Sequence, residues 1–208
     1  MLHGLRGLMQ RIFTPVARAL LKAGVSPDAV TITGTLVVVV TALWAFPRGN
    51  LVPGVLVITV FVLTDSLDGV MARQAGRSGP WGAFLDSTLD RFGDAAIFGG
   101  LVLWLFGYGD DGTTTARAAA VLALACLVLG SVVPYARARA EGLGMTASGG
   151  IAERADRLLV VLVATFVVGL GAPLVVLLVV LALLALASAV TVVQRMAMVR
   201  RQSREQAA

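Results

Sequence analysis

Long runs without a charged residue restrict what this chain can fold into. They cover residues 29–47, 49–64, 95–109, 118–136 and 158–194. A helix that spans a bilayer needs about 20 such residues, and somewhat fewer when it continues into a polar cavity. The last run is too long for one span, and the Gly-Leu-Gly-Ala-Pro cluster at 169–173 in it is typical of a turn. The sequence therefore predicts six transmembrane helices within residues 28–199.

The composition favours the same class and excludes several others. Hydrophobic residues make up 58% of the chain and charged residues only 14%, whereas a soluble domain has about half and about a quarter. The composition excludes a disordered, collagen-like or ordinary soluble chain, and the lone Cys126 excludes a disulfide scaffold. The net charge of +5 indicates basic residues beside membrane spans rather than a nucleic-acid partner. We predict an all-α integral membrane protein that forms a single domain over residues 1–208.

The arginines predict its orientation. Six spans place both termini on one side, and of all Lys and Arg residues only Arg48 and Arg117 then fall on the other. Basic residues collect on the cytoplasmic side of a membrane protein. The sequence therefore predicts a multi-pass protein of the cell membrane with both termini in the cytoplasm, where residues 200–208 form a tail.

The segment before the first run has the pattern of an amphipathic helix. Arg11, Arg18 and Lys22 lie opposite a set of apolar residues at helical spacing, which are Leu5, Leu8, Met9, Ile12, Phe13, Val16 and Leu20. Such a helix can lie in the membrane interface. We predict an interfacial helix over residues 1–25 on the inner leaflet. A helix whose apolar face packs on protein remains the alternative.

Five aspartates, Asp65, Asp68, Asp86, Asp90 and Asp94, lie at the cytoplasmic ends of the second and third predicted spans. A carboxylate at membrane depth costs several kcal/mol unless it is compensated. The first two are three residues apart and the next two are four apart, so each pair shares a helix face. Four converging carboxylates need bound cations or retained protons. Hard oxygen ligands without nearby His or Cys favour Mg²⁺, Mn²⁺ or Ca²⁺, and a pair of such ions suits phosphoryl chemistry.

These residues belong to a longer pattern at fixed spacing. It reads Asp65-x2-Asp68-Gly69-x2-Ala72-Arg73-x8-Gly82-x3-Asp86-x3-Asp90, and it resembles the signature of the CDP-alcohol phosphotransferase family at every defined position. The resemblance implies a homodimeric enzyme that transfers the phosphoryl-linked part of a CDP-linked lipid or alcohol to a hydroxyl and releases CMP. It implies two Mg²⁺ ions, with Mn²⁺ as an alternative.

The resemblance also implies roles for individual residues. Asp65, Asp68 and Asp86 are then metal ligands, while Asp90 is both associated with metal and the catalytic base. The residues that would contact the CDP-linked lipid are Asp28, Ala29, Val30, Thr31, Gly69, Arg73 and Gly79. Asp28 departs from the asparagine that is more common there in the family.

Arginines in the second half of the chain bear on the acceptor alcohol. The segments around Arg137, Arg154 and Arg195 resemble an actinobacterial subgroup of the family, whose substrates are CDP-diacylglycerol and inositol phosphate and whose product is phosphatidylinositol phosphate. By this resemblance the three arginines bind the acceptor phosphate, which suits their planar, forked guanidinium groups. An arginine at a membrane edge can instead reach to lipid phosphates.

Other functions remain open at this stage. A synthase of phosphatidylglycerophosphate would use the same motif with glycerol 3-phosphate as the acceptor. Intramembrane aspartates also occur in cation transporters, but there we expect acids along the whole membrane depth rather than at the end of one hairpin. A lipid-binding scaffold with an inactive site is disfavoured, because no residue of the motif is missing.

Overall fold

The computed structural model describes residues 13–64, 66–76, 79–108, 114–151 and 153–206. Throughout these ranges the regular elements are helices, which confirms the all-α prediction. They are α1 at 13–22, α2 Pro27–Ala45, α3 Leu51–Thr64, α4 Ser66–Gln74, α5 Pro80–Tyr108, α6 Thr114–Glu141, α7 Arg154–Gly169 and α8 Val175–Gln206.

Within the described ranges, four helical stretches are long and apolar enough to cross a membrane. They are Pro27–Arg48, Leu51–Gln74, Thr114–Glu141 and Val175–Gln206. The two other predicted spans correspond to the apolar half of α5 and to α7, which has 16 residues, fewer than a span usually needs. The chain is therefore a multi-pass membrane protein, and its sixfold span count stays a prediction.

A tight turn joins α2 to α3. A 3-10 helix, Phe46–Arg48, ends at Gly49, whose φ of 74° lies in the left-handed region that favours glycine. The Gly49 N–H donates to the Phe46 carbonyl at 2.9 Å. The Arg48 guanidinium lies 4.9 Å from the centre of the Trp44 ring and donates to the Trp44 carbonyl at 2.8 Å. Arg48 carries the only charge between the first two apolar runs of the sequence, and its contacts with Trp44 fix it at the turn.

The chain divides into two compact units. The first contains residues 1–41 and 56–93, and the second contains residues 42–55 and 94–208. Helices α2, α3 and α5 each contribute residues to both. The single domain expected from the sequence stays a prediction.

In the first unit, α1 packs against α4. Ala17 of α1 is buried with three residues of α4, which are Leu67, Val70 and Met71, and the side chains of Phe13, Leu20, Leu21, Val25 and Val30 surround them. Arg18 and Lys22 are exposed. Leu5, Leu8, Met9, Arg11 and Ile12 lie outside the described residues. The described part of α1 therefore packs on protein, and its place at the membrane interface stays a prediction.

In the second unit, α6 and α7 pack against α8. The buried face of α6 consists mostly of small residues, which are Ala116, Ala119, Ala120, Ala123, Cys126, Gly130, Val133 and Ala140. Small side chains let helix backbones approach closely where no hydrophobic effect drives association. The Cys126 thiol donates to the Leu181 carbonyl at 3.3 Å, so it packs in the core of this unit.

The loop that follows α6 is tied to the last turns of α8. The Gln202 amide accepts from the Thr146 N–H at 2.9 Å and donates to the Thr146 carbonyl at 2.6 Å. About two helical turns earlier on α8, the Arg195 Nε–H donates to the Gly149 carbonyl at 3.1 Å. The segment that the sequence predicts as a tail from residue 200 thus continues α8 as far as Gln206.

Candidate active site

The first unit contains a cavity of about 380 Å³. Seven of the predicted site residues line it, which are Asp28, Thr31, Asp68, Gly69, Arg73, Gly79 and Asp86. The remaining lining residues are Ser26, Pro27, Ala72, Trp81, Gly82, Ala83 and Leu85. The start of α2, the helix α4 and the start of α5 therefore meet around one space.

The sequence of α4 explains how this wall forms. Asp68, Gly69, Ala72 and Arg73 recur at helical spacing and face the cavity. The intervening residues at 67, 70 and 71 are apolar and pack on α1. An amphipathic pattern of this kind orients a helix with its apolar stripe on the core. The charged residues of α4 consequently point into the cavity.

The Asp68 carboxylate is held at both oxygens. The Gly69 N–H donates to Oδ1 at 2.5 Å, and the Thr31 hydroxyl donates to Oδ2 in a short hydrogen bond. The Thr31 hydroxyl also lies 3.2 Å from the Pro27 carbonyl, and Thr31 is buried, with 8% of its surface exposed. The orientation of this carboxylate is thus set by α2 and by its own helix.

Asp28 is held by a residue that the sequence analysis missed. The Trp81 indole N–H donates to Asp28 Oδ2 at 3.0 Å, and the Trp81 ring lies 6.1 Å from the Phe84 ring at an interplanar angle of 30°. Both aromatic side chains are exposed. The available signal was a tryptophan directly before Gly82 of the motif, in a segment that is otherwise rich in glycine and polar residues.

Four of the residues predicted to bind metal or the CDP-linked lipid are not among those that line the cavity, and one of the four lies outside the described residues. Of the described residues, Ala29, Val30 and Asp90 do not line the cavity. Val30 packs on the apolar cluster beneath α1, and the Asp90 carboxylate lies 3.7 Å from the Arg91 guanidinium. Asp65 lies outside the described residues. The roles of these four residues stay predictions.

The donors around the cavity fit a divalent cation. Asp68 and Asp86 line the same space and are close enough to interact electrostatically. They offer hard oxygen donors, which Mg²⁺ and Mn²⁺ prefer, and each Asp68 oxygen keeps a second lone pair beyond its hydrogen bond. Within the described part of the chain, no group of three or more His, Cys, Asp or Glu side chains lies close enough to hold a metal. Asp65 lies outside that part of the chain.

In the second unit, Asp94 joins two arginines of α7. Arg154 Nε lies 3.0 Å from Asp94 Oδ1, and Arg157 Nη2 lies 3.3 Å from Asp94 Oδ2. Asp94 and Arg157 are buried, whereas 26% of the Arg154 side chain is exposed. Arg154 was predicted to bind the acceptor, whereas the burial of Arg157 was not predicted, because a basic residue at a membrane edge is usually solvated.

The other two predicted acceptor arginines have separate partners. Arg195 is buried, and it donates from Nη1 to the Val133 carbonyl in addition to its bond with the loop after α6. Arg137 is exposed and pairs with Glu141 at 2.8 Å. Arg137 and Glu141 both interact electrostatically with Arg195. Glu153, the residue before Arg154, also interacts electrostatically with Arg195, while Arg154 itself is paired with Asp94.

Comparison with known proteins identifies the class to which this fold and motif belong. Residues 24–142 match the model of the CDP-alcohol phosphatidyltransferase family, so the matched region includes α2 to α6 and the whole aspartate motif. The chain belongs to this family of membrane enzymes, which confirms the resemblance seen in the sequence.

It is 49% identical to the phosphatidylinositol phosphate synthase of Cutibacterium acnes, over 97% of this chain and 98% of that protein. It is 47% identical to the enzyme of the same name from Streptomyces avermitilis, over 96% of this chain and 82% of that one.

Solved structures give the same relationship. The phosphatidylinositol phosphate synthase of Mycobacterium tuberculosis with bound CDP-DAG has a TM-score of 0.84 at 43% identity, and the match covers 91% of this chain and 94% of that one. A structure of the same enzyme in complex with manganese and citrate also has a TM-score of 0.84 at 43% identity, over 90% and 88% of the two chains. The family's use of a divalent metal agrees with the oxygen donors around the cavity.

Proposed function

We propose that this enzyme transfers the phosphatidyl group of CDP-diacylglycerol to a hydroxyl of inositol phosphate, giving phosphatidylinositol phosphate and CMP. The observation that carries the proposal is the cavity that gathers Asp28, Thr31, Asp68, Arg73 and Asp86 from three helices. The names of relatives that match over nearly the whole chain support inositol phosphate as the acceptor.

The reaction balances as a phosphoryl substitution. The acceptor oxygen forms a bond to the phosphorus that carries diacylglycerol, the bond from that phosphorus to CMP breaks, and the acceptor hydroxyl loses its proton. Asp90 is the base that takes this proton. Asp65, Asp68, Asp86 and Asp90 would hold two divalent ions, Mg²⁺ or Mn²⁺. Such ions neutralise charge on the pyrophosphate when bound.

The remaining cavity residues bind the nucleotide lipid. Arg73 faces the cavity with a cation that suits a phosphate. Gly69 and Gly79 let the ligand approach the backbone, because a glycine has no side chain in the way. Asp28 and Thr31 supply polar groups at the start of α2, and Ala29 and Val30, on the same helical turn, are further contacts of the CDP-linked lipid.

Arg137, Arg154 and Arg195 bind the phosphate of the acceptor. A phosphorylated acceptor needs such cations, whereas free inositol does not. In support, Arg154 and Arg195 come from different helices and each is held by a buried residue, Asp94 for the former and the Val133 carbonyl for the latter.

We further propose the arrangement in the cell. The chain forms one domain with six spans, in which α5 and α7 supply the two spans that fall short by composition or length. The N-terminal helix lies at the inner membrane surface. Both termini and the active site face the cytoplasm, where the soluble acceptor is dissolved. The enzyme works as a homodimer in the cell membrane.

Turnover by the purified protein in detergent micelles tests the activity. With CDP-diacylglycerol and Mg²⁺, we expect CMP release when inositol phosphate is added and little release with glycerol 3-phosphate or free inositol. Heat-treated protein is the control for non-enzymatic hydrolysis. Faster CMP release with glycerol 3-phosphate would replace the proposed function by phosphatidylglycerophosphate synthesis. Repeating the assay over a range of Mg²⁺ and Mn²⁺ concentrations gives the metal preference.

A further inference from the structure

We propose that Asp94 is a positioning residue for the acceptor site, because it fixes the guanidinium of Arg154 in the direction in which that group meets the acceptor phosphate. The inference rests on the proposed function of Arg154. Asp94 lies one helical turn beyond Asp90, outside the family motif. It contacts Arg154. It is not one of the proposed metal ligands, and it does not line the cavity that contains Asp68.

The contact geometry supports a positioning role. A carboxylate that is almost fully buried binds one arginine through each of its two oxygens, at 3.0 and 3.3 Å. On the Arg154 side the contact uses Nε, the atom nearest the side-chain stem. A bond at Nε fixes the plane of the guanidinium, so the directions of its terminal N–H groups are fixed as well. Arginine binds phosphate through such planar, paired donors.

Arg157 in turn anchors Asp94. Only 2% of the Arg157 side chain is exposed, and its Nη2 also lies 3.5 Å from the Gly130 carbonyl on α6. Burying a charge costs much free energy unless the charge is paired. Arg157 is therefore held by its ion pair with Asp94 and does not act as a cation that contacts lipid headgroups. Arg154 is the more exposed of the two arginines that share Asp94, with 26% of its side chain accessible against 2% for Arg157, so it is the one that an anion from solvent can reach.

The sequence of α6 builds a place for Arg157. In a helix, the N–H at position 134 would donate to the carbonyl of Gly130, but Pro134 has no N–H. Arg157 approaches that carbonyl instead. A Cβ on residue 130 would lie 3.4 Å from Arg157 Nη2, at the edge of ordinary van der Waals contact, so the guanidinium lies directly against this glycine. Pro134 and Gly130 thus support Arg157, which supports Asp94, which orients Arg154.

A double-mutant cycle tests the inference. Wild type, Asp94→Glu, Arg154→Gln and the double variant are purified, and the KM for each substrate, kcat and the melting temperature are measured. The glutamate keeps the charge for Arg157 but moves it by one methylene, so we expect KM for inositol phosphate to rise about tenfold. KM for CDP-diacylglycerol should not change.

In the Arg154→Gln background, Asp94→Glu should raise KM for inositol phosphate little further, because the effects of residues that act through one contact are not additive. Asp156→Asn, on an exposed carboxylate of the same helix, is the matched control.

Pro134→Ala is a second variant that separates positioning from stability. Alanine favours a helix far more than proline does, so this variant should melt no lower than wild type. It restores an N–H that competes with Arg157 for the Gly130 carbonyl. The carbonyl has two lone pairs and can still accept from Arg157, so we expect KM for inositol phosphate to rise only about threefold, less than the full loss of a hydrogen bond to a charged group would cause.

Several outcomes would overturn the inference. A folded Asp94→Glu variant with the wild-type KM for inositol phosphate would do so, as would effects of Asp94→Glu and Arg154→Gln that multiply. An unchanged KM in Arg154→Gln alone would remove Arg154 from the acceptor site, and this inference with it, while the proposed function would still hold for wild type. A wild-type enzyme that does not use inositol phosphate would instead refute the proposed function itself.

Discussion

Replacing Thr31 with valine is expected to weaken metal binding about tenfold. Valine has nearly the shape of threonine but lacks the hydroxyl that donates to Asp68 Oδ2. The side chain is buried, so water cannot easily take the place of the lost donor. The Gly69 N–H would remain on the other oxygen, and the carboxylate could then rotate about its bond to Cβ.

The magnitude follows from the kind of bond that is lost. A hydrogen bond to a charged group contributes about 1.5–3 kcal/mol, but Asp68 is only partly buried and water can solvate part of it. The lower end of the range applies, and about 1.4 kcal/mol is a factor of ten in an equilibrium constant. Removal of a group that orients a metal ligand typically lowers metal affinity by about ten- to a hundredfold, which is consistent with this value.

The measurement is a Mn²⁺ titration of the purified protein, followed by the paramagnetic signal of free Mn²⁺ and by CMP release. Thr33→Val is the matched control, because Thr33 lies on the same helix but is exposed. We expect the metal concentration for half-maximal signal to shift in Thr31→Val and to stay constant in Thr33→Val. An unshifted titration with Thr31→Val would refute the claim that this hydroxyl orients a metal ligand.

Three further substitutions test other parts of the site. Asp90→Asn should abolish turnover and leave CDP-diacylglycerol binding intact, since an amide cannot take the acceptor proton; a rate above about a tenth of wild type would exclude Asp90 as the base. Trp81→Phe should raise KM for CDP-diacylglycerol about fivefold by releasing Asp28, and an unchanged KM would show that the Asp28 orientation is unimportant. Arg195→Gln should raise KM for inositol phosphate about tenfold and also lower the melting temperature, because it removes a donor to the Gly149 carbonyl; a lower melting temperature with an unchanged KM would make this arginine purely structural.

The aspartate motif predicted much of the site because its spacing is local. Residues three or four apart on one helix share a face whatever the rest of the chain does, and the structure accordingly places Asp68, Gly69 and Arg73 on one side of α4. The contact between Trp81 and Asp28 joins residues that are 53 positions apart. Sequence periodicity carries no information on such a pair, so its prediction would have needed the packing of α5 beside α2.

The buried role of Arg157 was unpredictable for a related reason. Three of the four residues before it, Glu153, Arg154 and Asp156, are charged, and a charged turn at the start of a span usually lies in solvent or among headgroups. The reason for its burial lies on another helix, where Arg157 Nη2 lies 3.5 Å from the Gly130 carbonyl and a proline without an N–H stands at position 134. The count of six spans stays a prediction in part because α5 combines a polar half with an apolar half in one continuous helix.

The contact between Thr146 and Gln202 affects how the protein can be altered for experiments. Gln202 binds the backbone of a loop 56 positions earlier in the chain, so the end of α8 holds this loop in place. An affinity tag fused after residue 206 lies beyond these contacts, and it should leave the hydrogen bonds between Gln202 and Thr146 intact. A stop codon at position 201 would remove the glutamine, and the loop that carries Gly149 would then be held at one point fewer.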